Sequence, residues 1–491
     1  MAKVLLIQPL ANHADKNPTD FNLPLSLIYL GTAIEHKHEV QIYDRNVEDR
    51  DYEKFLMEYK PDIVGLPSWT SSLLQDVIIV GKLTKKLLPQ CTIIVGGVHA
   101  TTEPQSVLDE SYVDYILRGE GDEAFLEFCD VYEQNPEKLS EIKNINLNPI
   151  RPFLDINTLK TPNYDLVDVS KYNRVYINLS RGCPGDCTFC YNAPMWGIPK
   201  AGFEEDIIKN RPFVRVLKTE KMIEIFKMVI EKYNRKSFTV VDDNLVFFKK
   251  RVIEVCDYLK NNYTGLNWFC ESRVDTICDE VVSAMKSAGC HYIQLGVESG
   301  SQRMLDFLNK TTTVEQNAEA IACIKKHGIL ADASIMIGIP TETREELRET
   351  VDFVKRTDPD HPNAKFYMLW PSALLDYCVA KGWVEKPKNL TEWSTWIGSI
   401  RSLGKNYSDI PDEEIEKAAY EIWSHGMYRR KIKAFYCWLK RGDISLSYIL
   451  RGLRKALFVR GRLHFPIIGT VKFKKDGLVN KLIERTQYSA I

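Results

Sequence analysis

Ser180-Arg-Gly-Cys-Pro-Gly-Asp-Cys-Thr-Phe-Cys-Tyr191 gathers three cysteines, Cys183, Cys187 and Cys190, in one short stretch. The spacing C-x3-C-x2-C supplies three thiolates, one fewer than a cubane iron–sulfur cluster normally takes. A cluster held this way keeps one iron open to another ligand. The glycines and proline suit a loop that wraps closely round an inorganic cube. Structural zinc prefers four closed ligands, usually as two separated pairs, and no second CxxC or CxxH pair follows nearby.

Outward from this loop, the sequence is organised as strands alternating with helical patterns. One strand-like run, 175–179, leads into it, and five more follow at 238–241, 267–271, 292–297, 331–337 and 364–369. Six such units predict a partial (β/α)6 barrel with its site at the carboxyl ends of the strands. Those ends carry Asp242 and Asp243, Arg273, Glu298 and Gly338. Upstream, runs at 3–8, 38–43, 63–67, 92–95 and 112–117 predict a parallel, Rossmann-like sheet of the flavodoxin type, binding a ligand beyond its strand ends. There the chain places Ser68, Thr70 and Ser71, then Gly96, Gly97 and His99, then Gly119 and Glu120.

Together these features resemble the cobalamin-binding-domain radical S-adenosylmethionine enzymes, a superfamily that includes class B methyltransferases and anaerobic magnesium-protoporphyrin ester cyclases. The resemblance rests on the cysteine loop with an aromatic residue before its last cysteine and on the first strand ending in Gln8-Pro9. It rests further on Asn22-Leu-Pro-Leu-Ser-Leu27, the Ser68 segment, Gly96-Gly97 and Arg118-Gly-Glu-Gly-Asp-Glu123. It implies three cofactors: a [4Fe-4S] cluster on Cys183, Cys187 and Cys190, S-adenosylmethionine on the open iron, and cobalamin on the first sheet. It also implies that Glu298 bonds the ribose hydroxyls and that the turn at Gly338 packs near adenine. Arg273 would hold the methionyl carboxylate, and Asp242 or Asp243 would contact the amino group. The cobalamin side would be formed by Ser68, Thr70, Ser71, Gly96, Gly97, His99, Gly119 and Glu120.

Two departures stand out. Many cobalamin domains carry D-x-H-x-x-G after the first strand, whose histidine ligates cobalt. Gln8-Pro-Leu-Ala-Asn-His13 lacks that pattern, so cobalt is expected to have no histidine below it, and His13 and His99 read as polar loop residues. The family's P-G-T near the sixth unit is reduced to the proline of Leu369-Trp-Pro-Ser-Ala-Leu374. Trp196 is a candidate for the substrate pocket.

With 491 residues, the chain is expected to hold about three domains. These are a cobalamin-binding domain at 1–145, a linker at 146–172, the radical domain at 173–375, and a mainly α-helical, basic C-terminal domain at 376–491. Net charge is −1, and no nucleic-acid module is visible, so nucleic acid is not expected as a partner. The apolar start at 3–8 reads as a buried strand rather than a signal peptide, and no run is long enough to span a membrane. The other nine of twelve cysteines form no regular framework, which fits a reducing cytoplasm. Between Arg429 and Lys475, fourteen Lys or Arg stand against one acid, Asp443, a pattern open to contact with an anionic membrane or to a solvated helix face.

The function these readings imply is methylation of an unactivated carbon through a 5′-deoxyadenosyl radical and methylcobalamin. An oxidative cyclase with the same cofactors and a non-catalytic cobalamin-responsive regulator are the alternatives. Methylthiolation would need a small β-barrel RNA module that the chain does not show. A small-molecule or lipid-like substrate and a reductant such as flavodoxin or ferredoxin are the expected partners.

Overall fold

The computed structural model describes residues 1–10, 23–195, 214–396 and 406–425. Its first sheet comprises β1 (Lys3–Gln8), β2 (Glu39–Asp44), β3 (Ile63–Pro67), β4 (Thr92–Gly96) and β5 (Tyr115–Leu117). All neighbours are parallel and the order is β2-β1-β3-β4-β5. Val4 to Ile7 of β1 are wholly buried, as expected for a strand covered by helices on both faces. The strand order reverses between β1 and β3, and that reversal opens a crevice beyond the strand ends.

The second sheet begins with β6 (Val175–Ile177). A two-stranded antiparallel ribbon, β7 (Ser180–Arg181) and β8 (Arg215–Val216), comes next in the chain. The sheet continues through β9 (Ser237–Val240), β10 (Asn267–Arg273), β11 (Cys290–Glu298), β12 (Leu330–Ile337) and β13 (His361–Phe366). Its six strands lie side by side in chain order, all parallel, which is the expected partial barrel. The last strand lies three residues earlier than expected. Asp332 pairs with His361 and Ile337 with Phe366, so Leu369 falls in the loop beyond. Pro362 is tolerated because β13 is an edge strand.

Residues 146–172 are not a loose connection. Three single turns of 3-10 helix are capped by Asp155, Asn163 and Asp168, which accounts for the abundance of these residue types. Tyr164, which opens the second turn, and Tyr172, which ends the third, are buried and donate to Tyr176 O at 2.6 Å and Asp44 Oδ2 at 2.8 Å. The segment is a strap pinned to both sheets.

One hydrophobic core runs through both halves. Leu5, Val64, Leu74 and Val77 of the first half join Met304, Leu308, Ile339 and Tyr367 of the second, together with Leu374 and Trp393 from helices Ala373–Ala380 and Leu390–Trp396. Those helices therefore belong to the same compact unit, Met1–Ile422. No helix among the described residues is long and apolar enough to cross a membrane. His13, Trp196 and the basic stretch from Arg429 to Lys475 lie outside the described residues.

Candidate active site

The cysteine loop follows β7 and is braced by the residues just after β9. Asp242, fully buried, accepts hydrogen bonds from Leu179 N at 2.7 Å, Asn178 Nδ2 at 3.2 Å and Ser180 Oγ. Burial pushes its carboxyl up to about 7, against these hydrogen bonds. Asp243 accepts from Gly182 N at 3.1 Å, and burial raises its pKa too. Farther along, Thr188 N donates to Leu308 O and Asn309 Nδ2 to Asp186 O, at 3.0 and 2.9 Å, tying the loop to the segment after β11.

Burial raises the pKa of all three thiols, that of Cys190 to about 12, and the sulfurs of Cys187 and Cys183 raise Cys190 further. Three mutually repelling sulfurs in a dry loop need positive charge to ionise. The chain supplies part of it. Arg273 Nη1 approaches Cys187 Sγ at 3.6 Å, and Gly185 makes that approach possible, since a Cβ there would fall 2.8 Å from Nη1. The donor set fits an iron–sulfur cluster, whose metal ions supply the remainder.

Arg273 stands where expected, at the end of β10, but its donors are otherwise committed. Nε and Nη2 grip Asp275, and Nη2 also donates to Lys310 O at 2.8 Å and Thr311 Oγ1 at 3.1 Å. It braces the loop more than it faces a ligand. The cation that sequence reasoning missed is Lys310, whose buried ammonium donates to Glu298 Oε1 at 2.7 Å and lies 5.8 Å from the Phe189 ring centre. Burial disfavours its charge, but Glu298 and Cys187 hold its pKa above the ordinary value. Glu298 ends β11 at a register shift with φ of +64°, a strained setting for a non-glycine residue and frequent at functional sites. Gly296 leaves room for the pair, because a Cβ there would lie 2.6 Å from both charged atoms. The Gly338 turn is closed by Glu342, which accepts its N–H at 2.7 Å, and by Tyr407 N on its carbonyl at 2.9 Å. Burial lifts the Glu342 carboxyl to about 7.

Beyond the first sheet lies a cavity of about 540 Å³. It is lined by the buried sheet residues Leu6, Gly65, Ile94 and Leu117 and by the polar Gln8, Ser26, Glu120 and Asn178. Ser68, Gly96, Gly97, Gly119 and Glu120 line it. Gly97 has φ of +94°, and a Cβ would fall 2.8 Å from Ser68 O, so only glycine keeps this wall flat. An apolar lining set with polar groups fits a flat macrocycle bearing amide arms.

Thr70, Ser71 and His99 are placed differently. They lie behind the wall, with Thr70 Oγ1 2.9 Å from His99 Nδ1 and His99 Nε2 3.0 Å from Ser106 Oγ. Ser71 Oγ instead caps the turn at Leu73 N. His99 is no loop residue. It sits in the short helix Val98–Thr102, edge-on to Trp393, and burial lowers its pKa to about 3, so it is a neutral packing element.

The second half of the chain contributes to the same cavity through Asn178, Arg181, Met195 and Val241. Trp69, on the loop after β3, lines the cavity and packs edge-on against Tyr191, the residue after Cys190, at 4.8 Å. Neither Trp69 nor Arg181 was marked by the sequence as part of the site.

Comparison with known proteins agrees with this geometry. Residues 21–129 match the B12 binding domain and residues 177–354 match the Radical SAM superfamily. An uncharacterized methyltransferase of Pyrococcus horikoshii is 31% identical over 397 residues, which cover 77% of this chain and 83% of the relative. The anaerobic magnesium-protoporphyrin IX monomethyl ester cyclase of Rubrivivax gelatinosus is 28% identical, over 66% of this chain and 59% of the cyclase. The radical S-adenosylmethionine methyltransferase TsrM from Kitasatospora setae, solved with cobalamin and a [4Fe-4S] cluster, shares the fold, with a TM-score of 0.63, 16% identity and coverage of 79% of this chain and 80% of that one. With a three-thiol loop and a strand-end cavity sharing one wall, the chain belongs to the radical SAM superfamily, among the members that carry an N-terminal B12-binding domain.

Proposed function

We propose that this chain is a cobalamin-dependent methyltransferase acting on an unactivated carbon of a small molecule. The observation that carries the reading is the shared cavity. It is lined by the cobalamin sheet and by Arg181 and Met195, which flank the cysteine loop. A methyl donor and a radical generator must face one substrate atom, and a single cavity walled by both halves provides that proximity.

Cys183, Cys187 and Cys190 would hold the cluster, which together with bound S-adenosylmethionine supplies a carbon radical, and cobalamin supplies the methyl group. The chain's residues bind and orient. Lys310, a buried cation beside Cys187, is placed for a carboxylate, and Glu298 beside it can accept from a diol. Asp243, at the loop's base, would accept from an ammonium group. Trp69 and Met195 add apolar wall to the cavity. A cytoplasmic location, a flavodoxin- or ferredoxin-like reductant and membrane contact through the basic C-terminal stretch belong to the same proposal.

The test is product mass after anaerobic reduction with S-adenosylmethionine, cobalamin and a candidate substrate pool. A gain of one CH2 supports methylation. Loss of hydrogen or gain of oxygen supports the cyclase reading, which the Rubrivivax relative keeps in view. Binding of cobalamin without 5′-deoxyadenosine formation would leave only a regulatory role.

A further inference from the structure

The cysteine loop is gripped at both ends by the cobalamin half of the molecule. At its exit, Tyr191 packs on Trp69. At its entry stands Arg181, two residues before Cys183, on the ribbon formed by β7 and β8. Its guanidinium meets Asp122 as a fork, Nη1 to Oδ2 at 2.8 Å and Nη2 to Oδ1 at 3.0 Å, and Nη1 also donates to Glu120 Oε1 at 2.6 Å. Its cross-strand partner Arg215 grips the other oxygen of Glu120 at 2.7 Å and is anchored on Leu154 O at 2.7 Å. Asp122 opens helix Asp122–Gln134, and Glu120 belongs to the glycine-flanked turn after β5.

Arg181, Glu120 and Asp122 all line the 540 Å³ cavity, and the side chains are 17%, 10% and 7% exposed. Charges this dry cannot separate cheaply, so guanidinium and carboxylates must move together. Just beyond Arg181, Gly182 N donates to Asp243 Oδ2 at 3.1 Å, and Cys183 follows. Whatever seats against Glu120 and Asp122 therefore acts on the start of the cluster loop through Arg181 directly and through its cross-strand partner Arg215.

We infer that Arg181 is a positioning residue that makes cobalamin binding and cluster-loop order mutually dependent. This rests on the cobalamin reading of the cavity. Coupling is reciprocal: an ordered cluster loop tightens cobalamin binding by the same factor by which cobalamin favours the ordered loop. Arg181 is suited to this because its bidentate fork transmits direction as well as charge, which a lysine at the same place would not.

The test measures the affinity of the full chain for hydroxocobalamin, with the cluster reconstituted anaerobically and after the iron has been removed. Wild type is expected to bind at least about tenfold more tightly with the cluster present, a coupling of about 1.4 kcal/mol. Arg181→Gln is expected to take up the cluster and to bind cobalamin more weakly than cluster-loaded wild type, with the same affinity in both states. Arg181→Lys should retain part of the ratio. A uniform loss of stability would shift both affinities and leave their ratio unchanged. Equal affinities in wild type, or a tenfold ratio surviving in Arg181→Gln, would overturn the inference. Should Arg181→Gln not fold, the wild-type ratio and Glu120→Gln decide it. If cobalamin binds wild type in neither state, the cobalamin reading itself falls.

Discussion

Lys310 donates to Glu298 across the gap left by Gly296, 2.7 Å between charged atoms that are almost wholly enclosed. Lys310→Met strands the Glu298 carboxylate and is expected to cost about 3–5 kcal/mol. Gly296→Ala intrudes on both charged atoms and is expected to cost about 1–3 kcal/mol. Denaturant unfolding measures both. Loss of S-adenosylmethionine binding in Lys310→Met, with iron content intact, would show that the pair serves the ligand as well as the fold.

Gly97 makes a comparable demand on the cobalamin side. Its φ of +94° and its approach to Ser68 leave no space for a methyl group. Gly97→Ala is expected to lose about 1–3 kcal/mol through backbone strain and to weaken cobalamin binding, read by absorbance titration, while iron content stays unchanged.

Trp69 and Tyr191 meet edge to face at 4.8 Å. A double-mutant cycle with Trp69→Leu and Tyr191→Leu is expected to give a coupling of about 0.5–1.5 kcal/mol. Additive effects would mean that the rings do not support each other.

Asp242 gives a pH signature. In the unfolded chain it titrates near its ordinary value, while burial in the fold pushes it up to about 7. The folded state therefore holds the proton more tightly, and stability present below the ordinary carboxylate range is lost as pH rises through 7. Asp242→Asn keeps an acceptor for Leu179 N and removes the titration. Its melting temperature is expected to fall less than that of wild type between pH 4 and 8.

The fold was legible where burial writes itself into composition. Val4 to Ile7 and the other central strands are apolar runs because helices cover both faces, and the loop after β6 announces its chemistry through cysteine spacing. The last strand was misplaced because His361 and Pro362 carry no strand signal at a sheet edge. The aspartates and asparagines of 146–172 looked like a linker because the same residues cap turns and fill loops. Lys310, Trp69 and Arg181 were illegible for another reason. Each acquires its role from a partner remote in sequence, as Arg181 does from Glu120, 61 residues away, and no local pattern records such a meeting. His99 shows the converse: a histidine beside a glycine pair looked like a site residue, yet its ring serves helix packing.

The central claim is that the three-thiol loop and the strand-end cavity form one site. Cofactor stoichiometry in a single preparation tests it most directly. Anaerobically reconstituted protein is predicted to hold about four irons and one cobalamin per chain, and to release 5′-deoxyadenosine when reduced with S-adenosylmethionine. Cys187→Ala should abolish that release and still bind cobalamin. A wild-type preparation that takes up the cluster but no cobalamin, or cobalamin but no cluster, would contradict the claim.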